Sequence, residues 1–254
     1  MPSDSHAYGR DAGDPKGPES SGREAIWKMM PPPERQVRAT DTHRFISFHS
    51  KSALKLLVDD EATLLDIIDL ERATDPRLHA ENELLPAIGS SELVFVTPNY
   101  TVVNRAFCHP HPLGGRFHGP SRGVWRASFT QDTALHELIW HRRVQLAEVD
   151  ILTDSILVES YLADFDASFH DVRDSERFAE CMAADNYVDS QVLGRQLFHA
   201  GSNGVIYHSV RKPGGTCISC FSPPLVGNVR AGGVWRVTWE NSPVPSVVRE
   251  IIDE

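Results

Sequence analysis

Residues Tyr187 to Phe221 read YVDSQVLGRQLFHAGSNGVIYHSVRKPGGTCISCF, and this stretch decides the class of fold. Val188 and Val192, like Leu193 and Leu197, are four apart, the spacing of neighbours on one helix face. A helix is therefore predicted over about Tyr187 to Ala200, with Gly201 as its stop. Gly204 to Arg211 then reads as a strand, Lys212-Pro213-Gly214-Gly215 as a turn, and Thr216 to Phe221 as the return strand. A helix feeding an antiparallel hairpin breaks the strict βαβ rhythm of a parallel sheet.

The rest of the chain supports that reading. Thr130-Gln131-Asp132 offers an N-cap for a helix running to about Arg143. Before it Val124 to Ser128 looks extended, and after it Ile151 to Leu162 is extended or mixed. Val234 to Trp239 alternates as a last strand, and Leu93 to Thr97 is a short β-type run. Thr101 to Gly123, crowded with His, Pro and Gly, reads as irregular. In Ser52 to Ala73, Leu54, Leu57, Val58, Leu64, Leu65 and Ile68 recur at mostly helical steps. The class is α+β, in one mixed domain over 37–254.

Residues 1–36, rich in Gly, Pro, Ser and Asp, are predicted to form a disordered arm, because they cannot bury enough apolar surface to offset ordering. Met1 to Gly22 also lacks the apolar core of a secretory signal. No apolar run approaches the roughly 20 residues of a membrane span. The four cysteines are too scattered for a disulfide framework, which points to a reducing cytoplasm. A formal charge of −10 argues against direct binding of nucleic acid, whose partners need a basic face. It leaves room for a local arginine pocket that binds an anion.

Several signatures are absent or fail on geometry. The chain has no phosphate loop and no Gly-x-Gly-x-x-Gly after a strand. His136-Glu137-Leu138-Ile139-Trp140-His141 places its histidines five apart, about 140° around a helix, so they cannot share one metal. Cys217 and Cys220 have metal-site spacing, but on a strand residues three apart face opposite ways. They read as buried thiols, and no metal is expected.

Three segments carry the chemistry. The first is the loop Gly114-Gly115-Arg116-Phe117-His118-Gly119, whose backbone is open to a ligand and whose Arg116 fork suits phosphate. Next come Gly123-Val124-Trp125-Arg126-Ala127-Ser128 and the helix Thr133-Ala134-Leu135-His136-Glu137-Leu138 with His141. The third is Ile206-Tyr207-His208-Ser209-Val210-Arg211. Taken singly, Arg116 reads as a surface arginine, Glu137 as a helix carboxylate beside His141, and Ser209 as a filler on a strand face.

In order and spacing these segments resemble the RES domain family, named for an Arg, a Glu and a Ser in separate motifs. The resemblance covers about Thr74 to Trp239 and places those residues at Arg116, Glu137 and Ser209. It implies a fold like that of ADP-ribosyltransferases and an NAD-consuming activity typical of toxins in toxin–antitoxin pairs. NAD is then the substrate, cut between nicotinamide and ribose, with water or inorganic phosphate as acceptor. Transfer of ADP-ribose to a protein, or a catalytically inactive binding protein, keeps the same fold. The implied roles are stabilisation of the ribosyl cation by Glu137, a grip on the pyrophosphate by Arg116, and positioning of ribose or phosphate by Ser209. One position departs from the family. A Tyr that lines the NAD pocket falls here on Arg126, which can stack on a ring or hold phosphate. An antitoxin with a helix-turn-helix domain is the implied partner, and a homodimer is compatible with the sequence.

Overall fold

The structure, a computed structural model, describes residues 30–47, 88–108, 110–150, 152–174 and 176–250. It is α+β, with one seven-stranded sheet and, among the described residues, three α-helices. The strands are β1 (Glu34–Ser47), β2 (Trp125–Ser128), β3 (Thr153–Asp171), β4 (Gly204–His208), β5 (Thr216–Cys220), β6 (Gly227–Glu240) and β7 (Ser246–Glu250). The helices are α1 (Tyr100–Cys108), α2 (Gln131–Glu148) and α3 (Val188–His199). None of them is long and apolar enough to cross a membrane.

β3 is the spine of the sheet. It pairs antiparallel with β1 and β6 along most of its length, and parallel with β4 at His170 and Asp171. β1 also meets β2 at His43 and Ser128, so β1, β2, β5, β4 and β3 close into a ring. β6 and β7 continue the sheet outward from β3. The main core includes Val103, Phe107, Trp125, Phe165, Phe169 and Ile218. A second cluster of Leu146, Val158, Val237 and Trp239, with Leu138 and Ile139 against it, seats α2 on β3 and β6.

The predicted hairpin is present as β4 and β5, with Tyr207 opposite Cys217. Gly194 of α3 packs on the loop that bears Phe117: a Cβ there would lie 2.0 Å from the Phe117 carbonyl oxygen. Only glycine allows that approach. α2 runs one turn beyond its predicted end, and β3 and β6 exceed their predicted lengths.

Three expectations need correction. Tyr100 to Cys108, within the stretch read as irregular, is helix α1, whose Val103, Ala106 and Phe107 recur at three and four and are buried. Two β-branched valines and a nine-residue length hide it from a propensity reading. Leu93 to Thr97 is not a strand. The Asn104 side chain of α1 takes both the N–H and the C=O of Val94, at 3.1 and 2.7 Å, leaving no ladder to form. The boundary of the N-terminal arm also moves: β1 begins at Glu34, and Gln36 pairs with Ser168 in the ladder. The predicted helix over Ser52 to Ala73 and residues 1–29 of the predicted arm lie outside the described residues.

Candidate active site

The cleft lies where β1, β2 and the hairpin meet α2. Its volume is about 240 Å³, and its lining includes Arg44, Arg126, Glu137, His141, Tyr207 and Cys217. α2 presents Ala134, Glu137, Leu138 and His141 to it. These sit at i, i+3, i+4 and i+7, one face of a helix. The helix starts as predicted: the Thr130 hydroxyl accepts from the Thr133 N–H at 3.3 Å.

Glu137 and Ser209, 72 positions apart in sequence, are joined in space. The Ser209 hydroxyl donates to Glu137 Oε1 at 2.6 Å and accepts from the Arg211 and Lys212 N–H groups at 3.1 and 3.0 Å. With its proton committed to the carboxylate and its lone pairs to the turn, the hydroxyl has one orientation. The Cys217 thiol also points at Oε1, from 4.0 Å. One carboxylate oxygen is thus anchored, and Glu137 lines the cleft.

The hairpin reaches α2 because of Gly215. A Cβ there would lie 2.7 Å from the Thr133 side chain in the first turn of the helix. The Gly215 carbonyl accepts the Ser209 N–H at 2.9 Å, and Lys212 Nζ meets Asp132 at 2.6 Å across the same junction. Lys212 in turn holds the Asp132 carboxyl below its ordinary range.

Arg116 is placed differently. It is buried and does not line the cleft. Its Nη1 donates to the Cys181 carbonyl, its Nη2 donates to the Ala183 carbonyl at 2.9 Å, and its guanidinium lies 5.0 Å over Tyr187. Burial lowers the Arg116 guanidinium from its ordinary range, opposed in part by Tyr207, Tyr187 and Glu137. The Gly-Gly-Arg loop is not the open backbone expected from sequence. Gly115 and His118 exchange N–H···O bonds of 2.9 and 3.3 Å, so the loop is closed on itself.

Arg126, the departure from the family pattern, lines the cleft directly. Beside it stands Arg44 of β1, which sequence reasoning missed. Arg44 Nη1 donates to the Arg126 carbonyl at 3.1 Å, and its guanidinium lies 4.9 Å from the Trp125 ring centre. Burial, reinforced by the Arg126 charge, pulls the Arg44 guanidinium down to about 9. The signal for Arg44 was weak because β1 is mostly polar and is interrupted between Ala39 and Thr42, where Asp41 takes φ 57°. Among the described residues no group of three His, Cys, Asp or Glu side chains is arranged to hold a metal. Cys217 and Cys220 are free, and their thiols are both pushed up to about 12, mainly by burial.

Two neutral imidazoles border the arginines. Burial, and then the Arg126 charge, lower His141 to about 3 and His118 to about 4. In the unfolded chain both titrate near 6.5. Their stabilising effect is thus present above that pH and is lost as pH falls toward 4, because the unfolded state takes up protons the folded state refuses. Urea midpoints should accordingly fall between pH 6.5 and about 4, before most carboxylates titrate. His141→Gln should flatten that slope, and an unchanged slope would contradict the buried, neutral ring.

The chain matches the RES domain over residues 93–240, more than half its length, with Arg116, Glu137 and Ser209 all inside the match. It belongs to the RES domain family. A comparison with curated protein sequences finds no match. Among solved structures this RES protein is similar to a chain of the M. tuberculosis MbcT–MbcA toxin–antitoxin complex. The identity is 9% and the TM-score 0.42, over 81% of this chain and 87% of that one.

Proposed function

We propose that this RES protein is a toxin-like enzyme that cleaves the bond between nicotinamide and ribose in NAD. The observation that carries the reading is the Glu137–Ser209 pair, a carboxylate anchored at 2.6 Å in the lining of a cleft that also holds two arginines. Departure of nicotinamide leaves positive charge on the ribose, as in glycoside hydrolysis. A fixed carboxylate stabilises that charge without reorganising at the moment of reaction. Glu137 is assigned this role, Ser209 holds it in place, and water or inorganic phosphate is the acceptor.

The arginines divide the remaining work. Arg126, in the cleft, contacts the phosphates of the dinucleotide. Arg116, bonded to two carbonyls, holds the 181–183 segment and adds positive field behind Glu137. The cleft is smaller than the roughly 300–1,000 Å³ pockets that enclose a whole ligand, so an extended dinucleotide would lie partly along its mouth. A helix-turn-helix antitoxin is the proposed partner and the cytoplasm, with its NAD pool, the proposed compartment.

The test is incubation of the purified chain with NAD and assay of free nicotinamide. Release by wild type, lowered about tenfold or more in Ser209→Ala through loss of a charge-assisted bond, is the expected result. A folded wild-type chain that binds NAD without releasing nicotinamide would instead be a non-catalytic binding protein.

A further inference from the structure

Arg44 and Arg126 differ from the ion-paired arginines of the molecule and, unlike Arg116 and Arg211, which bond carbonyls at a distance from it, both line the cleft. Arg35 and Arg173 meet Asp171, Arg122 meets Glu92, Arg142 meets Asp154, and Arg230 meets Asp41 and Asp164. Arg44 and Arg126 meet no carboxylate within ion-pair distance among the described residues, although the chain carries 35 acidic residues. They come from neighbouring strands and are locked side by side by the bond from Arg44 to the Arg126 carbonyl. Arg44 Nε is buried without a hydrogen-bond partner among the described residues. Among the described residues the only acid in the lining is Glu137, whose Oε1 is occupied by Ser209.

Two adjacent like charges at a partly desolvated site are unfavourable unless an anion joins them. The geometry points to a two-arginine subsite, Arg44 with Arg126, for a doubly charged phosphate group bound beside Glu137. A single carboxylate would leave one guanidinium unmatched, whereas phosphate oxygens suit the planar fork of each. The neighbouring His118 and His141 rings are held neutral and add no charge. The subsite moves the grip on phosphate away from Arg116, whose Nη1 and Nη2 are already engaged. Its place beside the reacting carboxylate rests on the NAD reading, but its affinity for phosphate does not. Two sources carry the same chemistry: the pyrophosphate of the dinucleotide and free inorganic phosphate.

Calorimetry on the full chain at low salt tests the inference, with inorganic phosphate, pyrophosphate, NAD and acetate as separate probes. Phosphate and pyrophosphate should bind and acetate should not. Arg126→Gln should weaken phosphate about tenfold to 100-fold, and Arg126→Lys should retain part of the affinity. Arg126 carries the test because Arg44 packs on Trp125, and circular dichroism confirms that the variants fold. If raising phosphate weakens NAD binding, the pyrophosphate is the natural occupant. If both bind together, it is free phosphate. Phosphate affinity unchanged by Arg126→Gln in a folded chain overturns the subsite even if nicotinamide is released. Phosphate binding that depends on Arg126 with no nicotinamide released leaves the subsite standing and overturns only the proposed reaction.

Discussion

Glu137→Gln is expected to lower nicotinamide release by on the order of 10²-fold or more while NAD binding stays within a few-fold of wild type. The amide keeps the size of the side chain, and its oxygen still accepts the Ser209 hydroxyl that lies at 2.6 Å from Oε1, so the junction of hairpin and helix survives. What disappears is the negative charge proposed to face the ribose, which on that proposal matters only as the glycosidic bond breaks. A loss confined to turnover is the signature of an interaction made in the transition state, whereas loss of affinity would mean that Glu137 holds ground-state substrate. Glu137→Asp separates charge from reach: it restores the charge but withdraws it by one methylene. Turnover unchanged in Glu137→Gln would remove Glu137 from the chemistry.

The parts of this site that were legible in sequence are those built from local signals. Thr130 caps α2 within three residues of where the helix needs it, and the turn at Lys212 to Gly215 announces the hairpin that brings Ser209 to Glu137. Both depend on chemistry between near neighbours. Arg44 could not be read in the same way. It reaches the cleft because β1 pairs with β3, where Arg44 lies opposite Tyr161, a register set by long-range pairing and not by any pattern within β1. The strand itself alternates poorly, since Arg38, Asp41 and Arg44 interrupt its apolar residues. Arg116 shows the converse limit. A Gly-Gly-Arg motif was visible, but the direction of its guanidinium depends on the carbonyls of Cys181 and Ala183, on a segment some 65 residues later. Sequence indicates that an arginine is available and leaves open which groups will engage it.

Trp125 should prove to be the residue on which both the core and the arginine subsite depend. It is fully buried, lies opposite Cys220 in the pairing of β2 with β5, and belongs to the main core with Phe107 and Ile218. Trp125→Ala removes a complete indole from a close-packed interior and is expected to cost about 3–5 kcal/mol. Against a total stability of roughly 5–15 kcal/mol, that lowers the melting temperature by about 6–20 °C. Trp125→Phe separates the two roles of the ring. Its smaller volume leaves a gap, but it also deletes the indole N–H, a buried donor without a partner among the described residues, whose burial carries a penalty of about 1–3 kcal/mol. The two effects oppose each other, so Trp125→Phe should melt close to wild type and well above Trp125→Ala. A phenyl face still lies under the Arg44 guanidinium, now 4.9 Å from the Trp125 ring, so phosphate affinity should survive in Trp125→Phe. Calorimetric melting of the three proteins, with a phosphate titration of the two that remain folded, checks both expectations. Equal melting temperatures for wild type and Trp125→Ala would show that this ring does not hold the core together. Loss of phosphate binding in a stable Trp125→Phe would show that the indole itself, beyond any aromatic face, orients Arg44.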